Sequence, residues 1–320
     1  MINEQWRARK VVIVGAGAVG STFAYALAQH GLSDEIVITD MNRELVKGQV
    51  LDLTHGMPFF PSVKIREGSS SDFADANVVV ITAGAKMQTS GESRLDLLQK
   101  NKAIIDSIVD EIVSQHSQAV IVVVSNPVDV LTYIAHRRTG WPRGRIFGSG
   151  TVLDSARFRY LLSERCGIDV HNVHAYILGE HGDSEFAAWS MTHLAGMAID
   201  EYCQICRICS NADAERQAIE ESVRSSAYHI IDYKGATYFA VGLVLVRIVS
   251  AILRNEKSVL TVSTVLEGEY GLSDVSLSVP CIITQRGVER IFEANLSSEE
   301  LKALSRSATI LREIIATLKQ

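Results

Sequence analysis

The feature that most constrains the fold is a G-x-G-x-x-G turn at residues 15–20. A short β-branched run at residues 10–14 precedes it and predicts a buried parallel strand. Residues 21–29 then predict a helix, and residues 35–39 a second strand that ends at Asp40. This order of elements, from strand through glycine turn and helix to a second strand and an acid, favours a dinucleotide-binding site. The alternative is a glycine turn in an unrelated α/β fold.

The three glycines and the acid each have a physical role in such a site. Gly15 permits the tight turn, Gly17 lets the backbone approach the pyrophosphate, and Gly20 lets helix and strand pack closely. The free N–H groups at the start of the helix attract phosphates. Asp40 would accept hydrogen bonds from the ribose hydroxyls and repel a 2′-phosphate, so NAD is predicted rather than NADP.

Strand and helix signals keep alternating along the first half of the chain, at residues 77–81, 93–114, 119–124, 129–139 and 145–148. This alternation predicts an α/β fold with a Rossmann-type doubly wound parallel sheet. From about residue 150, long helical stretches mix with short strands. We therefore predict a dinucleotide-binding domain at residues 1–149 and a second, α+β substrate domain at residues 150–320.

Composition and charge exclude several classes of protein. The chain has 320 residues, is 47% hydrophobic and carries a net charge of −6, which argues against nucleic acid as a partner. The apolar segment 238–253 contains Arg247 and is shorter than the roughly 20 residues of a membrane-spanning helix. Basic residues before the run 11–19 imitate a secretory signal, but the glycine spacing and the later acid favour the dinucleotide interpretation. A cytoplasmic protein without a membrane partner is expected.

Three of the five cysteines form a C-x-x-C-x-x-C run, Cys203, Cys206 and Cys209. An odd total does not indicate a disulfide framework. The spacing could suit an iron–sulfur or zinc site, but no fourth cysteine follows nearby. We therefore expect reduced thiols and no metal, and residues 200–211 match no functional motif that we identify.

Two further segments contain candidate chemistry. His181 lies between Gly179 and Gly182, and histidine suits proton transfer because its ordinary pKa is near neutrality. A histidine in an ordinary turn is the alternative. Residues 84–94 are polar, contain glycines at two places and end where a helix starts, which is typical of a closing lid or of a plain surface loop.

The chain resembles the NAD-dependent L-lactate and malate dehydrogenases over nearly its whole length, and most closely the bacterial L-lactate dehydrogenases. The resemblance implies an oxidoreductase, and a homotetramer. The motifs that carry it, besides the glycine turn, are Leu51-Asp52-Leu53-Thr54-His55-Gly56, Gly91-Glu92-Ser93-Arg94-Leu95, Ser125-Asn126-Pro127-Val128-Asp129, Leu153-Asp154-Ser155-Ala156-Arg157 and Gly179-Glu180-His181-Gly182-Asp183.

The resemblance assigns four catalytic residues. His181 would be the acid/base, and Asp154 would hydrogen-bond its ring and stabilise its charged form. Arg157 would clamp the substrate carboxylate, and Arg94 on the lid would polarise the carbonyl. Without the resemblance, Asp154 could be a helix N-cap and Arg157 an exposed helix arginine.

The resemblance also assigns residues that contact ligands. Asn126 and Thr237 would bind substrate together with Arg94, Arg157 and Gln88. Those that would contact the cofactor are Gly15, Gly17, Val19, Gly20, Asp40, Gly84, Ala85, Val124, Ser125, Asn126 and Ser149.

Gln88 separates the two activities of the family. Related malate dehydrogenases place arginine at the matching position, where it pairs with the second carboxylate of oxaloacetate. Gln88 is neutral, so a dianion under the lid would leave one carboxylate unpaired, whereas Arg157 satisfies the single carboxylate of pyruvate. L-lactate dehydrogenase is predicted. Malate dehydrogenase or a broader 2-hydroxy-acid dehydrogenase is the enzyme alternative, and a binding protein without chemistry is disfavoured because it would need none of the four catalytic residues.

Two cationic residues predict regulation. Arg159 and His174 match positions that bind fructose 1,6-bisphosphate at a subunit interface in many bacterial lactate dehydrogenases. Two such groups could hold a phosphate. A helix arginine and a buried or strand histidine are the alternative.

Overall fold

The computed structural model describes residues 8–85, 94–206 and 212–318. Strands and helices alternate up to residue 148, as the sequence predicts. The elements of this half are β1 (Lys10–Val14), α1 (Ala18–His30), β2 (Glu35–Thr39), α2 (Arg43–His55), β3 (Lys64–Glu67), β4 (Val78–Ile81), α3 (Arg94–Ser114), β5 (Val120–Val123), α4 (Val128–Thr139) and β6 (Ile146–Gly148).

The strands of this half form a parallel sheet in the order β3-β2-β1-β4-β5-β6. The strand order reverses between β1 and β4, and ligands of such folds bind in the crevice beyond the carboxyl ends of the strands at that point. The residues of β1 and β4 are buried because helices cover both faces of a sheet of this kind. The predicted Rossmann fold is therefore confirmed.

The second half of the chain extends the same sheet. Its strands β12 (Ser258–Glu267), β13 (Ser273–Thr284) and β14 (Gly287–Ile291) run antiparallel and join the sheet beside β6, so that this sheet has nine strands among the described residues. The elements of this half are α5 (Val152–Cys166), β7 (Val173–His174), β8 (Ile177–Leu178), β9 (Phe186–Ala187), β10 (His193–Leu194), β11 (Met197–Ala198), α6 (Ile199–Cys206), α7 (Ala212–Lys234), α8 (Phe239–Leu253), β12 (Ser258–Glu267), β13 (Ser273–Thr284), β14 (Gly287–Ile291) and α9 (Ser298–Thr317).

Two features of this half position the candidate site. Helix α8 packs against α1, next to the glycine turn. The segment that contains His181 follows β8, and its Gly179 pairs with Ser278 of β13 through two backbone hydrogen bonds. No helix in the described part of the chain has both the length and the apolar character that crossing a membrane requires.

Candidate active site

The glycine turn has two packed positions and one open position. An added Cβ at Gly15 would lie 2.6 Å from Thr82 Oγ1, and one at Gly20 would lie 1.9 Å from the Gly15 carbonyl oxygen. An added Cβ at Gly17 would meet no atom of the described residues within 4 Å. Gly15 and Gly20 are therefore required by packing, whereas Gly17 leaves free the space that a pyrophosphate needs. The first turn of α1 has no side-chain cap and no acid, so its N–H groups can receive phosphate oxygens.

Asp40 is fixed beside this turn. Its Oδ2 accepts a hydrogen bond from the Ala16 N–H at 2.8 Å, and its Oδ1 accepts one from the Asn42 N–H at 2.9 Å. Each carboxylate oxygen has a further lone pair for a ribose hydroxyl. A cavity of about 140 Å³ adjoins Asp40 and extends to Gly68. The glycine turn, the helix start and this acid fit a dinucleotide that lacks a 2′-phosphate.

Asn101 of α3, which we did not predict, connects two strand ends at the site. Its Oδ1 accepts a hydrogen bond from the Ala85 N–H at 2.7 Å, and its Nδ2 donates to the Asn126 carbonyl oxygen at 2.9 Å. Ser125 donates its hydroxyl to the Ala83 carbonyl oxygen. Gly84 and Ala85 follow β4, Val124 to Asn126 follow β5, Ser149 follows β6, and Val19 lies in α1. An asparagine inside a helix gives no sequence signal of this contact.

His181, Asp154 and Arg157 form a hydrogen-bonded group. His181 Nδ1 lies 2.6 Å from Asp154 Oδ2, and Arg157 Nη1 donates to Asp154 Oδ1 at 2.7 Å. The side chains of Asp154, Arg157 and His181 are 3%, 13% and 26% exposed. The N-cap of α5 is Thr151. Asp154 lies in the first turn of this helix, and its carboxylate contacts His181 and Arg157. The N-cap alternative for Asp154, and the exposed-arginine alternative for Arg157, are therefore wrong.

The electrostatics of this group favour a charged imidazole. Burial alone would lower the pKa of His181, but the Asp154 carboxylate raises it to about 9. Burial alone would raise the pKa of Asp154, but the charges and hydrogen bonds of His181 and Arg157 lower it. At neutral pH His181 is therefore protonated and Asp154 ionised, which is the state of a proton donor held by its counter-ion.

Asp129, which lies in one of the family motifs but has no role assigned from the sequence, holds the backbone of His181. Its Oδ2 accepts a hydrogen bond from the His181 N–H at 2.8 Å, and its Oδ1 accepts one from Ser263 Oγ at 2.6 Å. Burial raises the pKa of Asp129 to about 6, despite these two hydrogen bonds. Asp129 lies in the first turn of α4, in the first half of the chain, so it connects the dinucleotide side of the molecule to the backbone of His181.

Glu185 is a third residue at the site, after Asn101 and Asp129, whose role the sequence did not predict. Its carboxylate oxygen, a ring nitrogen of His181 and a carboxylate oxygen of Asp154 lie within 4.8 Å of one another, and Glu185 is 5% exposed. Burial, with the negative charge of Asp154, raises the pKa of Glu185 to about 9, although His181 and Arg157 oppose this shift. Glu185 is therefore a neutral acid at physiological pH, which keeps two carboxylates from competing for one imidazole.

Replacing Glu185 with Gln is expected to make stability less dependent on pH. The pKa of Glu185 rises from 4.5 to about 9 on folding, so its neutral form favours the folded state at low pH. That contribution is lost between pH 4.5 and about 9, because the carboxyl of the unfolded chain ionises in this range while the buried one keeps its proton. The melting temperature of Glu185→Gln minus that of the unmodified protein should rise between pH 5 and pH 9. Thermal denaturation measures this, with Glu164→Gln, an exposed acid of α5, as control. A difference that does not change with pH would contradict the neutral state.

Some predicted residues are not among those that the structure describes. Others are described but lie apart from the group around His181. Gln88 and Cys209 are outside the described residues, as is the side chain of Arg94, and Thr237 lies between α7 and α8. Asn126 is exposed, and its Oδ1 accepts a hydrogen bond from the Val128 N–H at 3.3 Å. Cys203 and Cys206 lie half-buried on α6.

Arg159 and His174 lie close together on the surface. Arg159 Nε donates to the Val173 carbonyl oxygen at 2.8 Å, and His174 is the next residue, exposed on β7. His174 also faces His193 across the β7–β10 pair. His174 is thus a strand residue as the alternative anticipated, but it is not buried.

A Rossmann sheet whose glycine turn fits a dinucleotide, next to a charged His–Asp pair, defines a dinucleotide-dependent oxidoreductase. Comparison with known families identifies which one. Residues 9–148 match the lactate/malate dehydrogenase NAD binding domain, and residues 151–320 match the alpha/beta C-terminal domain of the same family. The chain therefore belongs to the lactate/malate dehydrogenase family, and its cofactor is NAD.

Similar proteins support this assignment. The chain is 59% identical to an L-lactate dehydrogenase of Treponema denticola over 95% of its length and 96% of that protein. It is 51% identical to an L-lactate dehydrogenase of Acetivibrio thermocellus, with 97% of each chain covered. The chain also resembles the minor L-lactate dehydrogenase of Enterococcus mundtii, whose crystal structure was determined in its ligand-bound form. The two sequences are 41% identical, and the structures superpose with a TM-score of 0.93 over 97% of this chain and 98% of that one. The resemblance to bacterial L-lactate dehydrogenases is confirmed.

Proposed function

We propose that the protein is an L-lactate dehydrogenase that reduces pyruvate with NADH and a proton to L-lactate and NAD⁺, and catalyses the reverse reaction. The observation that carries the proposal is the group of His181, Asp154 and Arg157, in which one acidic side chain holds both a proton donor and a carboxylate clamp. The relatives named L-lactate dehydrogenase support the choice of substrate.

His181 moves the proton in this mechanism. Asp154 holds Nδ1, so Nε2 is the nitrogen that faces the substrate and donates a proton to the carbonyl oxygen as it gains negative charge. In the reverse direction Nε2 accepts the hydroxyl proton. NADH, when bound, supplies the hydride. Asp129 and Asp154 together fix the backbone and ring of His181, so the proton is presented at one place.

Arg157 orients the substrate. Its Nη1 donates to Asp154, which leaves further N–H donors of the planar guanidinium for two parallel hydrogen bonds to a carboxylate. Arg94 would add a positive charge at the carbonyl oxygen when the segment before α3 closes over the substrate. Asn126 and Thr237 would complete the pocket, and neutral Gln88 would disfavour a second carboxylate.

Initial rates of NADH oxidation with pyruvate and with oxaloacetate test the proposal. A kcat/KM for pyruvate at least about 10³-fold above that for oxaloacetate is expected, because an enclosed and unpaired carboxylate costs several kcal/mol. A preference for oxaloacetate would reject L-lactate dehydrogenase in favour of malate dehydrogenase. Comparable rates with many 2-oxo acids would favour the broader 2-hydroxy-acid activity.

The proposal also includes the organisation of the protein. Residues 1–149 would form the dinucleotide domain and residues 150–320 the substrate domain, in a cytoplasmic homotetramer. Sedimentation velocity at micromolar concentration would test the tetramer.

Fructose 1,6-bisphosphate is expected to activate the enzyme through Arg159 and His174. The exposed imidazole and the neighbouring guanidinium could hold one phosphate by charge-assisted hydrogen bonds. The bisphosphate should lower the KM for pyruvate, and Arg159→Gln should abolish that change without altering the basal rate. Pyruvate saturation curves with and without millimolar bisphosphate measure the effect. Unchanged curves for the unmodified enzyme would remove the effector from the proposal.

A further inference from the structure

A cavity lined by cations lies behind the catalytic segment, away from Arg159 and His174. It has a volume of about 360 Å³ and is lined by residues 183–186, by α7 and by α9. Arg224 of α7 and Lys302 and Arg306 of α9 line it. None of these residues received a role in the proposed reaction.

The charges around this cavity are unbalanced. Lys302 and Arg306 are exposed, one helical turn apart on α9, and form no ion pair within the described part of the chain. Arg224 has only long contacts with acids, 3.7 Å to Glu220 and 3.5 Å to Glu221.

Two acids, Asp183 and Glu185, line the cavity beside the three cations, so the lining carries a net charge of +1 even when both acids are ionised. The Asp183 carboxylate accepts a hydrogen bond from the Tyr228 hydroxyl at 3.0 Å, and burial raises the pKa of Glu185, which favours its neutral form and makes the lining more positive. The cavity is therefore positive although the chain carries a net charge of −6.

We propose that this cavity binds a small dianion of the phosphate type. Guanidinium groups match the geometry of phosphate oxygens, and lysine adds a point charge. The volume of about 360 Å³ accommodates free phosphate or the phosphate of a small metabolite. The site is distinct from the proposed bisphosphate site, because Arg159 and His174 belong to α5 and β7.

The walls of the cavity connect it to catalysis. Arg224 Nη1 donates to the Glu185 carbonyl oxygen at 3.3 Å, and Ser307 Oγ of α9 donates to the Ser184 carbonyl oxygen at 2.8 Å. These two carbonyls belong to the segment that directly follows His181. A dianion bound at Arg224 would therefore lie against the side chain that supports this segment.

Titration calorimetry with inorganic phosphate tests the inference. The measurement uses the full chain saturated with NADH, which occupies the cofactor's own phosphate site, at ionic strength held constant with chloride. Arg159→Gln, which lacks the other anion site, is the reference protein. The reference should bind phosphate, and adding Lys302→Gln and Arg306→Gln should weaken that binding at least about tenfold, since hydrogen bonds to charged groups are strong.

The control variant adds Arg286→Gln and Arg290→Gln to the same reference, which removes the same charge from exposed positions around the β13–β14 turn. Phosphate affinity of the control should stay within twofold of the reference. The proposal would be overturned if the reference did not bind phosphate or if all three proteins bound it with equal affinity. It would also be overturned if the control lost as much affinity as the Lys302→Gln and Arg306→Gln variant. Calorimetry measures the heat of phosphate binding and not turnover. A negative result would therefore reject the phosphate site without bearing on the proposed reaction.

Discussion

Replacing His181 with Asn is expected to lower kcat for pyruvate reduction by about 10²- to 10⁴-fold, the range that general acid catalysis contributes. Asparagine keeps a similar size and can still hydrogen-bond Asp154, but it cannot release a proton near neutral pH. The positive charge that the Asp154 carboxylate stabilises on the imidazole is lost as well. Steady-state rates with saturating NADH measure the effect, and NADH affinity, measured by fluorescence titration, should not change.

Asp154→Asn is the matched control for this role. It removes the counter-ion of the imidazolium but keeps a side chain of nearly the same shape at 2.6 Å from Nδ1. The pKa of His181 should fall, because the carboxylate is what raises it to about 9. The pH at which kcat/KM for pyruvate declines should therefore move to lower values. A His181→Asn enzyme that retains the full rate would eliminate the proton-transfer role, whatever the behaviour of Asp154→Asn.

The parts of the molecule that were predictable from the residues alone depend on local signals. The strand Lys10–Val14 and the strand Glu35–Thr39 have the predicted bounds. Both are short runs of buried β-branched residues flanked by turn signals, and such runs have few alternative structures. The intervening helix begins at Ala18, inside the glycine turn, rather than at Ser21. Helix ends are less predictable because the first turn has no side-chain cap to mark it.

The parts that were not predictable depend on contacts between distant residues. Asp129 and Ser263 hydrogen-bond across 134 residues of sequence, and no local pattern signals that pairing. Glu185 stands beside Asp183 and Ser184, a setting typical of solvent-exposed acids, yet it is buried next to Asp154. Even the contact between His181 and Asp154, 27 residues apart, was predicted by resemblance to a family rather than from spacing.

Replacing Gln88 with Arg is expected to change the preferred substrate. Gln88 lies outside the described residues, so the prediction rests on charge and on its place six residues before Arg94. Arginine would pair with the second carboxylate of oxaloacetate, and it would leave a cation without a partner when pyruvate binds. Both effects act in the same direction. The ratio of kcat/KM for oxaloacetate to that for pyruvate should rise by about 10³-fold or more.

A control substitution separates charge from shape at this position. Gln88→Met has similar length and no charge, so it should leave the preference for pyruvate nearly unchanged. Arg157 is intact in both variants and continues to bind the carboxylate that the two substrates share, so only the second carboxylate distinguishes them. An unchanged ratio in Gln88→Arg would mean that residue 88 does not face the substrate, and discrimination would then have to come from another part of the lid. A ratio that rises equally in both variants would mean that loss of the amide, rather than gain of charge, admits the larger acid.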